Sequence, residues 1–382
     1  PPLAEAAKCL ASGPGPAVRP VVCDAKTTAK RLGVGPFAAF DVLELYAFVR
    51  PARFVLPTPR GVTQALGLAL PGTLEREAES LLASAGALLA ELSDQAAGPG
   101  DAQALPIAQA MSKGGWPWGP AVLAALGAEK TAPPKNAAAG LNIFHLLDEW
   151  QDRAPEPPPG NHSVEPDEAR ARLAELLGGG AENRDEQTDY AADAAAAFQP
   201  RVEAGEPRLA IAEAGTGVGK TLGYIAPASV WAEKNQGPVW ISTFTRNLQR
   251  QLDGELDRLF PDPAEKAERI VIRKGRENYF CLLNFDEALA RSSGGRSSAR
   301  AAAGLGGAKA GGGSVTALGL MARWALNTRD GDMVGGDFPA WLTDLLGYGL
   351  TTDLTDTRGE CIYSACRHYA RCFIEHTVRR AR

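Results

Sequence analysis

The sequence holds no apolar run approaching the roughly 20 residues that a membrane-spanning helix needs, and it does not open on a basic, apolar, small-residue leader. No membrane attachment and a cytoplasmic location are therefore expected. Positive charge is not in excess either. Against 45 Asp and Glu stand 40 Lys and Arg, for a formal net charge of -5. That balance excludes a uniformly basic nucleic-acid coat and confines any such contact to local patches. Arg269, Arg273, Lys274 and Arg276 form one patch; Arg367, Arg371, Arg379, Arg380 and Arg382 form another. Cysteine is scarce, six in 382 residues, too few for a disulfide scaffold. Cys9 and Cys23 stand alone and read as small buried hydrophobes.

What is present is ordinary globular text, 45% hydrophobic, long enough for two or three domains. Residues 1–151 alternate short apolar segments with helical patterns and read as a separate N-terminal domain, α/β or mostly helical. A Pro-rich stretch over 152–166 cannot continue a helix and has little to bury, so it reads as a linker. From 167 to 274, helical patterns alternate with apolar segments at 209–213, 239–243 and 269–273. That alternation predicts an α/β domain, a parallel sheet with helices on both faces and ligands at the carboxyl ends of its strands. Residues 275–382 follow as a smaller domain, interrupted by a Gly/Ala/Ser tract at 292–314 that reads as a flexible insertion.

Between the segment at 209–213 and the next helix lies Ala214-Gly-Thr-Gly-Val-Gly-Lys-Thr221. In this spacing Gly215, Gly217 and Gly219 leave successive backbone N–H groups free to point at a phosphate, and the helix behind adds its positive end. Thr216 and Val218 fill the positions between. Lys220 is placed for the β- and γ-phosphates and Thr221 for Mg²⁺, which makes these two the catalytic candidates for ATP. About thirty residues upstream, Arg184 and Gln187 open a helix, and a glutamine amide can donate to and accept from an adenine edge at once.

The remaining four cysteines are grouped as Cys361-x4-Cys366-x5-Cys372 with Cys281 some eighty residues earlier. Four thiolates can hold a tetrahedral zinc or a [4Fe–4S] cluster. Zinc sites favour C-x2-C pairs, which this spacing lacks, so iron–sulfur is favoured. Gly359, Glu360, His368 and several Arg make the segment too polar for a plain core element.

With these residues in hand, the chain over roughly 180–382 resembles the DinG/XPD-like iron–sulfur superfamily 2 DNA helicases. The resemblance rests on Arg184-x2-Gln187, the EAGTGVGKT loop, Ile241-Ser-Thr-Phe-Thr245 with Leu248-Gln-x-Gln-Leu252, Lys274-Gly-Arg-x-Asn-Tyr-x-Cys281, and the three clustered cysteines followed by Phe373. It implies a RecA-like ATP-binding domain with an inserted iron–sulfur domain. It also implies 5′ to 3′ movement on single-stranded DNA, the opening of forked DNA or DNA–RNA hybrids, a place in DNA repair, and a monomer. By the same resemblance Arg184 and Gln187 read the adenine, and Cys281, Cys361, Cys366 and Cys372 hold the cluster. Thr243 and Thr245 touch the strand backbone, and hydroxyls with Lys274 and Arg276 suit phosphates while Tyr279 suits base stacking.

The departures are equally specific. No Asp-Glu-x-His box occurs and no second motor domain follows the cysteines, so the chain reads as a fragment that is inactive alone. The alternative is a non-motor iron–sulfur module for DNA binding or sensing. In the first domain, Phe40-Asp-Val-Leu-Glu-Leu45 through Gly67-Leu68 resembles a middle stretch of proofreading-type exonuclease domains. The acidic residues of two-metal catalysis are not arranged there, and no nuclease activity is expected.

Overall fold

Ala- and Leu-rich stretches punctuated by Gly and Pro favour short helices, and the computed structural model is accordingly mostly helical. It describes residues 3–11, 19–97, 103–128, 137–151, 157–179, 184–200, 205, 208–292, 312–357 and 359–381. Most of the Gly/Ala-rich tract expected at 292–314, and residues 152–156 of the expected linker, lie outside the described residues. The first segment carries α1 (Leu3–Ala11), β1 (Val21–Val22), α2 (Ala25–Leu32), β2 (Phe40–Asp41), α3 (Val42–Val49), α4 (Pro59–Ala65), α5 (Leu74–Ala97), α6 (Ala104–Lys113), α7 (Gly119–Ala125) and α8 (Ala137–Gly140). Next come α9 (Pro166–Leu177), α10 (Asp185–Ala194), α11 (Lys220–Asn235), α12 (Arg246–Leu259) and α13 (Pro263–Arg269). The last stretch holds α14 (Leu282–Ser292), α15 (Gly312–Ala325), α16 (Ala340–Leu346), α17 (Tyr348–Asp353) and α18 (Phe373–Arg380). These elements gather into two units, one of residues 1–150 with 274–376, the other of residues 151–273 with 377–382.

In the first unit a single hydrophobic core joins Val42, Leu45 and Phe48 of α3, Leu88 and Leu92 of α5, and Ile107 and Met111 of α6 to residues from beyond position 274. Those partners are Phe280, Phe285, Leu318, Met321, Trp324 and Leu354. The helix α15 approaches α6 at Gly319, where a Cβ atom would stand 2.3 Å from Met111 Cγ. Four residues on, the buried Arg323 lays its guanidinium over the Phe48 ring at 4.9 Å and donates from Nε to the Phe48 carbonyl at 3.0 Å. It thereby satisfies a carbonyl of the last turn of α3 that the helix itself leaves open.

The same unit contains a small parallel sheet, with Val21 paired to Phe40 and Val22 to Asp41. Buried Asp41 ties the chain together there. Its carboxylate accepts from the amides of Asp24 at 3.1 Å, Ala25 at 2.6 Å and Leu43 at 3.0 Å, so one side chain holds the starts of both α2 and α3. Burial pushes the Asp41 carboxyl above its usual range against the opposing pull of those amides. One turn on, Glu44 accepts from the Trp116 indole at 2.9 Å, and burial, with the Asp41 charge behind it, raises its pKa to about 7.

In the second unit α9, α10 and α11 pack together around Leu173, Ala191, Leu222, Ile225 and Ala226, and α12 adds Leu252 and Leu256. Pro166 opens α9 behind a capping box of Glu165 and Glu168. Gly160 and His162, both inside the expected linker, bond to the Asn235 backbone and side chain at 2.9 and 2.6 Å. The expected RecA-like parallel sheet is not formed among the described residues. Segments 209–213, 239–243 and 269–273 make no strand ladder. Leu209 is 82% exposed, Ile211 90% and Trp240 62%. An apolar run states what a segment can bury, not which neighbour covers it. Parallel strands hold only as a set covered on both faces. Among the described residues no helix is long and apolar enough to cross a membrane.

Glu44 provides a pH test of this packing. Its folded-state pKa near 7 lies above the ordinary 4.5, so folding favours the protonated form. The corresponding stability is complete below pH 4.5 and is lost as the pH rises through 7. Glu44→Gln is expected to stabilise the chain by up to about 3 kcal/mol at pH 8 and by little at pH 4. Denaturant midpoints at the two pH values measure this, and a difference that does not grow with pH would rule the effect out.

Candidate functional site

Two groups of the residues singled out from the sequence are each brought together, one in each unit. In the second unit, the glycine loop leads into α11, whose N-cap is Gly219. Gly217 and Gly219 both take left-handed φ values, 85° and 86°, which bend the backbone in a way glycine allows at little cost. Two residues of the preceding helical segment fasten this bend. Arg184 Nη1 donates to the Gly217 carbonyl at 2.8 Å, and the buried Gln187 donates from Nε2 to the Gly219 carbonyl at 2.9 Å. A Cβ at position 219 would stand 2.3 Å from Gln187 Nε2 and displace that amide from its bond, while the positive φ itself favours glycine. Lys220 folds its ammonium back onto the carbonyls of Ala214 and Gly215, at 2.9 and 2.7 Å. Those bonds hold the Lys220 cation against carbonyls of the loop's own backbone.

In the first unit all four clustered cysteines line one cavity of about 50 Å³, together with Arg276, Tyr363, His368, Tyr369 and Glu375 among others. A single water needs only ~10–15 Å³ by the same measure, so the space admits a larger group. Among the described residues no three His, Cys, Asp or Glu side chains close on one point as ligands of a single ion. Cys281 is set by the backbone on either side of it. The Phe280 amide donates to the Gly331 carbonyl at 2.9 Å and the Cys281 amide to the Leu354 carbonyl at 2.8 Å, while the Phe280 ring is sunk in the core. Tyr279 and Phe280 form isolated antiparallel bridges with Asp332 and Thr355.

Cys281 and Cys372 each stand immediately before a helix, α14 and α18, and each thiol meets two amides of that helix's first turn. Burial raises both thiols, Cys372 to about 11, and the amides work against the rise. Such a site resists a free thiolate but rewards one whose charge a cation neutralises. Cys361 accepts from Arg276 Nη1 and from the Tyr363 amide, both at 3.4 Å. Tyr363 takes a left-handed φ of 49°, and its ring lies 4.5 Å from the Arg276 guanidinium.

The remaining sequence candidates are placed as follows. Thr245 caps α12, its hydroxyl accepting from the Leu248 amide at 3.2 Å, and Thr243 donates to the Thr245 carbonyl at 3.4 Å. Between them Phe244 is 98% exposed. Lys274 is paired with Asp332 and the Val334 carbonyl, and Arg276 with Glu375 at 2.5 Å. Tyr279 is buried, its hydroxyl accepting from the Lys274 amide at 3.3 Å. Thr243 and Thr245 thus belong to one unit and Lys274, Arg276 and Tyr279 to the other. Cys9 is exposed rather than a buried hydrophobe. The sequence did not single out Tyr363, Glu375, Asp286 or Trp150 as neighbours of the cysteines; only their nearness to cysteine or to a predicted boundary marks them.

No family model matches the chain, and no solved structure matches it. Curated relatives do. The chain is 38% identical over 121 residues to the 3′-5′ exonuclease DinG of Bacillus subtilis, covering 31% of this chain and 12% of that protein. It is 28% identical over 195 residues to the ATP-dependent DNA helicase YoaA of Haemophilus influenzae, covering 48% of this chain and 27% of the relative. With the ATP-dependent helicase DinG of Mycobacterium tuberculosis it shares 40% identity over 108 residues, 27% of this chain and 15% of the other. The matched part is thus between 12% and 27% of the length of these relatives. Together these similarities support assigning the chain to the DinG-like helicase family.

Proposed function

We propose that the chain carries the nucleotide-binding and cluster-binding portion of an ATP-dependent DNA helicase that moves 5′ to 3′ along single-stranded DNA and opens forks or DNA–RNA hybrids. The observation that carries this proposal is the gathering of Cys281, Cys361, Cys366 and Cys372 around one cavity. A phosphate loop is shared by many nucleotide enzymes, whereas this cysteine group is not. The names of the DinG and YoaA relatives point the same way.

The donor set fits a [4Fe–4S] cluster. Zinc asks four sulfurs to meet one point at ~2.3 Å. A cluster takes one thiolate on each of four irons and so suits sulfurs spread around a cavity. The amides behind Cys281 and Cys372 and the Arg276 donor to Cys361 are the polar support that thiolates require. When bound, the cluster would supply a cross-link between position 281 and the 361–372 segment.

For nucleotide, Lys220 would exchange the Ala214 and Gly215 carbonyls for β- and γ-phosphate oxygens, with the amides from Gly215 to Thr221 facing the same charge. Thr221 would offer its hydroxyl to Mg²⁺, and Arg184 and Gln187, which brace the loop, would also meet the adenine. A RecA-like sheet within 167–274 rests on the apolar segments of the sequence at 209–213, 239–243 and 269–273, and it would bury Leu209, Ile211 and Trp240, which stand exposed without it. Without an Asp-Glu-x-His box in the sequence, binding of ATP without turnover is expected of this chain. On the DNA side, Thr243 and Thr245 flank the exposed Phe244, a hydroxyl and aromatic combination suited to a single strand. Lys274, Arg276 and Tyr279 are held inside their own unit and support that contact less directly.

Three measurements test the proposal. Anaerobically purified chain should be brown and hold about four irons; a colourless protein with one zinc would refute the cluster. Lys220→Ala should weaken binding of a fluorescent ATP analogue at least about tenfold, a loss of roughly one charge-assisted hydrogen bond, and leave the iron content unchanged. Equal binding by wild type and variant would dismiss the loop. For a single strand, log affinity should fall with log salt at ~0.7 per phosphate neutralised, and a flat response would count against a DNA role.

A further inference from the structure

From within, the loop from Cys366 to Cys372 is held by turn bonds alone: the Tyr369 amide donates to the Cys366 carbonyl at 2.9 Å, Arg371 to His368 at 3.0 Å and Cys372 to Tyr369 at 3.1 Å. It consists of short turns, Tyr363–Ala365 before it and Tyr369–Arg371 within it, with no strand pairing. The residues that grip it come from a distant part of the same unit. The Trp150 amide donates to the Ala370 carbonyl at 2.9 Å, and the Trp150 indole donates to the Tyr369 carbonyl at 2.7 Å. The Cys372 amide donates to that same Tyr369 carbonyl at 3.1 Å. Arg371 returns two contacts, from Nε to the Leu147 carbonyl at 3.1 Å and from Nη2 to Glu149 at 2.6 Å. Phe144 stacks on His368 at 4.2 Å with the rings 28° apart, and Trp150 meets Tyr369 edge-on at 5.4 Å. From the other side Asp286 of α14 holds His368 at 2.8 Å and Arg367 at 2.6 Å.

We infer that residues 144–150 form a positioning strap for the cysteine loop, so that Trp150, Arg371 and Glu149 set where the Cys366 and Cys372 sulfurs stand although none of the three is a ligand. The inference rests on reading the four cysteines as ligands of one group. Its physical basis is that a loop of turns pays for ordering each time it opens, and external bonds to consecutive carbonyls, those of Tyr369 and Ala370, remove that freedom in advance. Two of the gripping bonds go to backbone carbonyls beside Cys372, which is why the effect should concentrate on the two sulfurs of this loop and spare Cys281.

The test uses the full chain with Trp150→Ala, Trp150→Phe and Glu149→Gln. Two readouts are taken: release of iron to a ferrous chelator from anaerobic protein, and alkylation by iodoacetamide of Cys366 and Cys372 relative to Cys281 in metal-free protein. With Trp150→Ala, iron release and relative alkylation should each rise roughly tenfold, the factor for one lost buried hydrogen bond. Trp150→Phe, which keeps the ring but not the indole donor, should lie between, and Glu149→Gln should shift the same ratio without leaving a cavity if Trp150→Ala fails to fold. Nucleotide binding should not change. Unaltered alkylation ratios in Trp150→Phe and Glu149→Gln would overturn the strap. A shifted ratio in a chain that binds no iron would keep the strap and remove the ligand reading, and the two failures are thereby told apart.

Discussion

The amides of Phe280 and Cys281, bonded to the Gly331 and Leu354 carbonyls, are the constraint on which the cysteine-bearing unit depends. They fix a short run of backbone between the core and the cavity. On one side the Phe280 ring sits among Phe285, Trp324 and Phe373 at 5.3 to 6.3 Å. On the other the Cys281 sulfur faces the cavity from the start of α14. Because successive residues of an extended run point to opposite sides, burying one ring commits its neighbour to the opposite face. The position of a thiol is in this way dictated by the packing of a phenyl ring.

The second unit is held by different means. Among the described residues no strand ladder lies beside its glycine loop, and Arg184 and Gln187 donate to the carbonyls of Gly217 and Gly219. The left-handed glycines need such partners, since a turn with free φ is otherwise costly to order. Lys220 is meanwhile occupied by two carbonyls rather than by a carboxylate. Neutral partners hold a cation loosely enough for a charged ligand to displace them.

Local geometry was legible in the sequence to the extent that it depended on residue type and spacing. The glycine loop and its following helix appear where the GTGVGKT spelling puts them, and Cys281 reaches one cavity with three cysteines that begin eighty residues later. Pairings between distant segments were not legible. Nothing in the spelling of Lys274, Arg276 or Tyr279 announces Asp332, Glu375 or burial, and a basic, aromatic run reads equally well as an outward patch or an inward brace. Thr245 illustrates the same ambiguity on a smaller scale, because a hydroxyl before a helix suits a cap as well as a phosphate. The apolar segments at 209–213 and 239–243 advertised a sheet, but hydrophobicity alone does not supply the neighbouring strands or the covering faces. The contacts of Phe144 with His368 and of Trp150 with Tyr369 are a matter of tertiary structure, which the sequence does not spell out.

The first unit is discontinuous along the chain, its core shared between residues 1–150 and 274–376. That division imposes an order on biosynthesis. The helices α3 and α6 leave the ribosome long before α15, which packs on both, exists to cover them. At translation speeds of ~5–20 residues per second the interval is on the order of tens of seconds. Residues 151–273, contiguous in sequence, emerge during that wait. The nascent first segment therefore waits with part of its apolar surface uncovered for much of the synthesis of these residues, the situation in which chaperones are most needed.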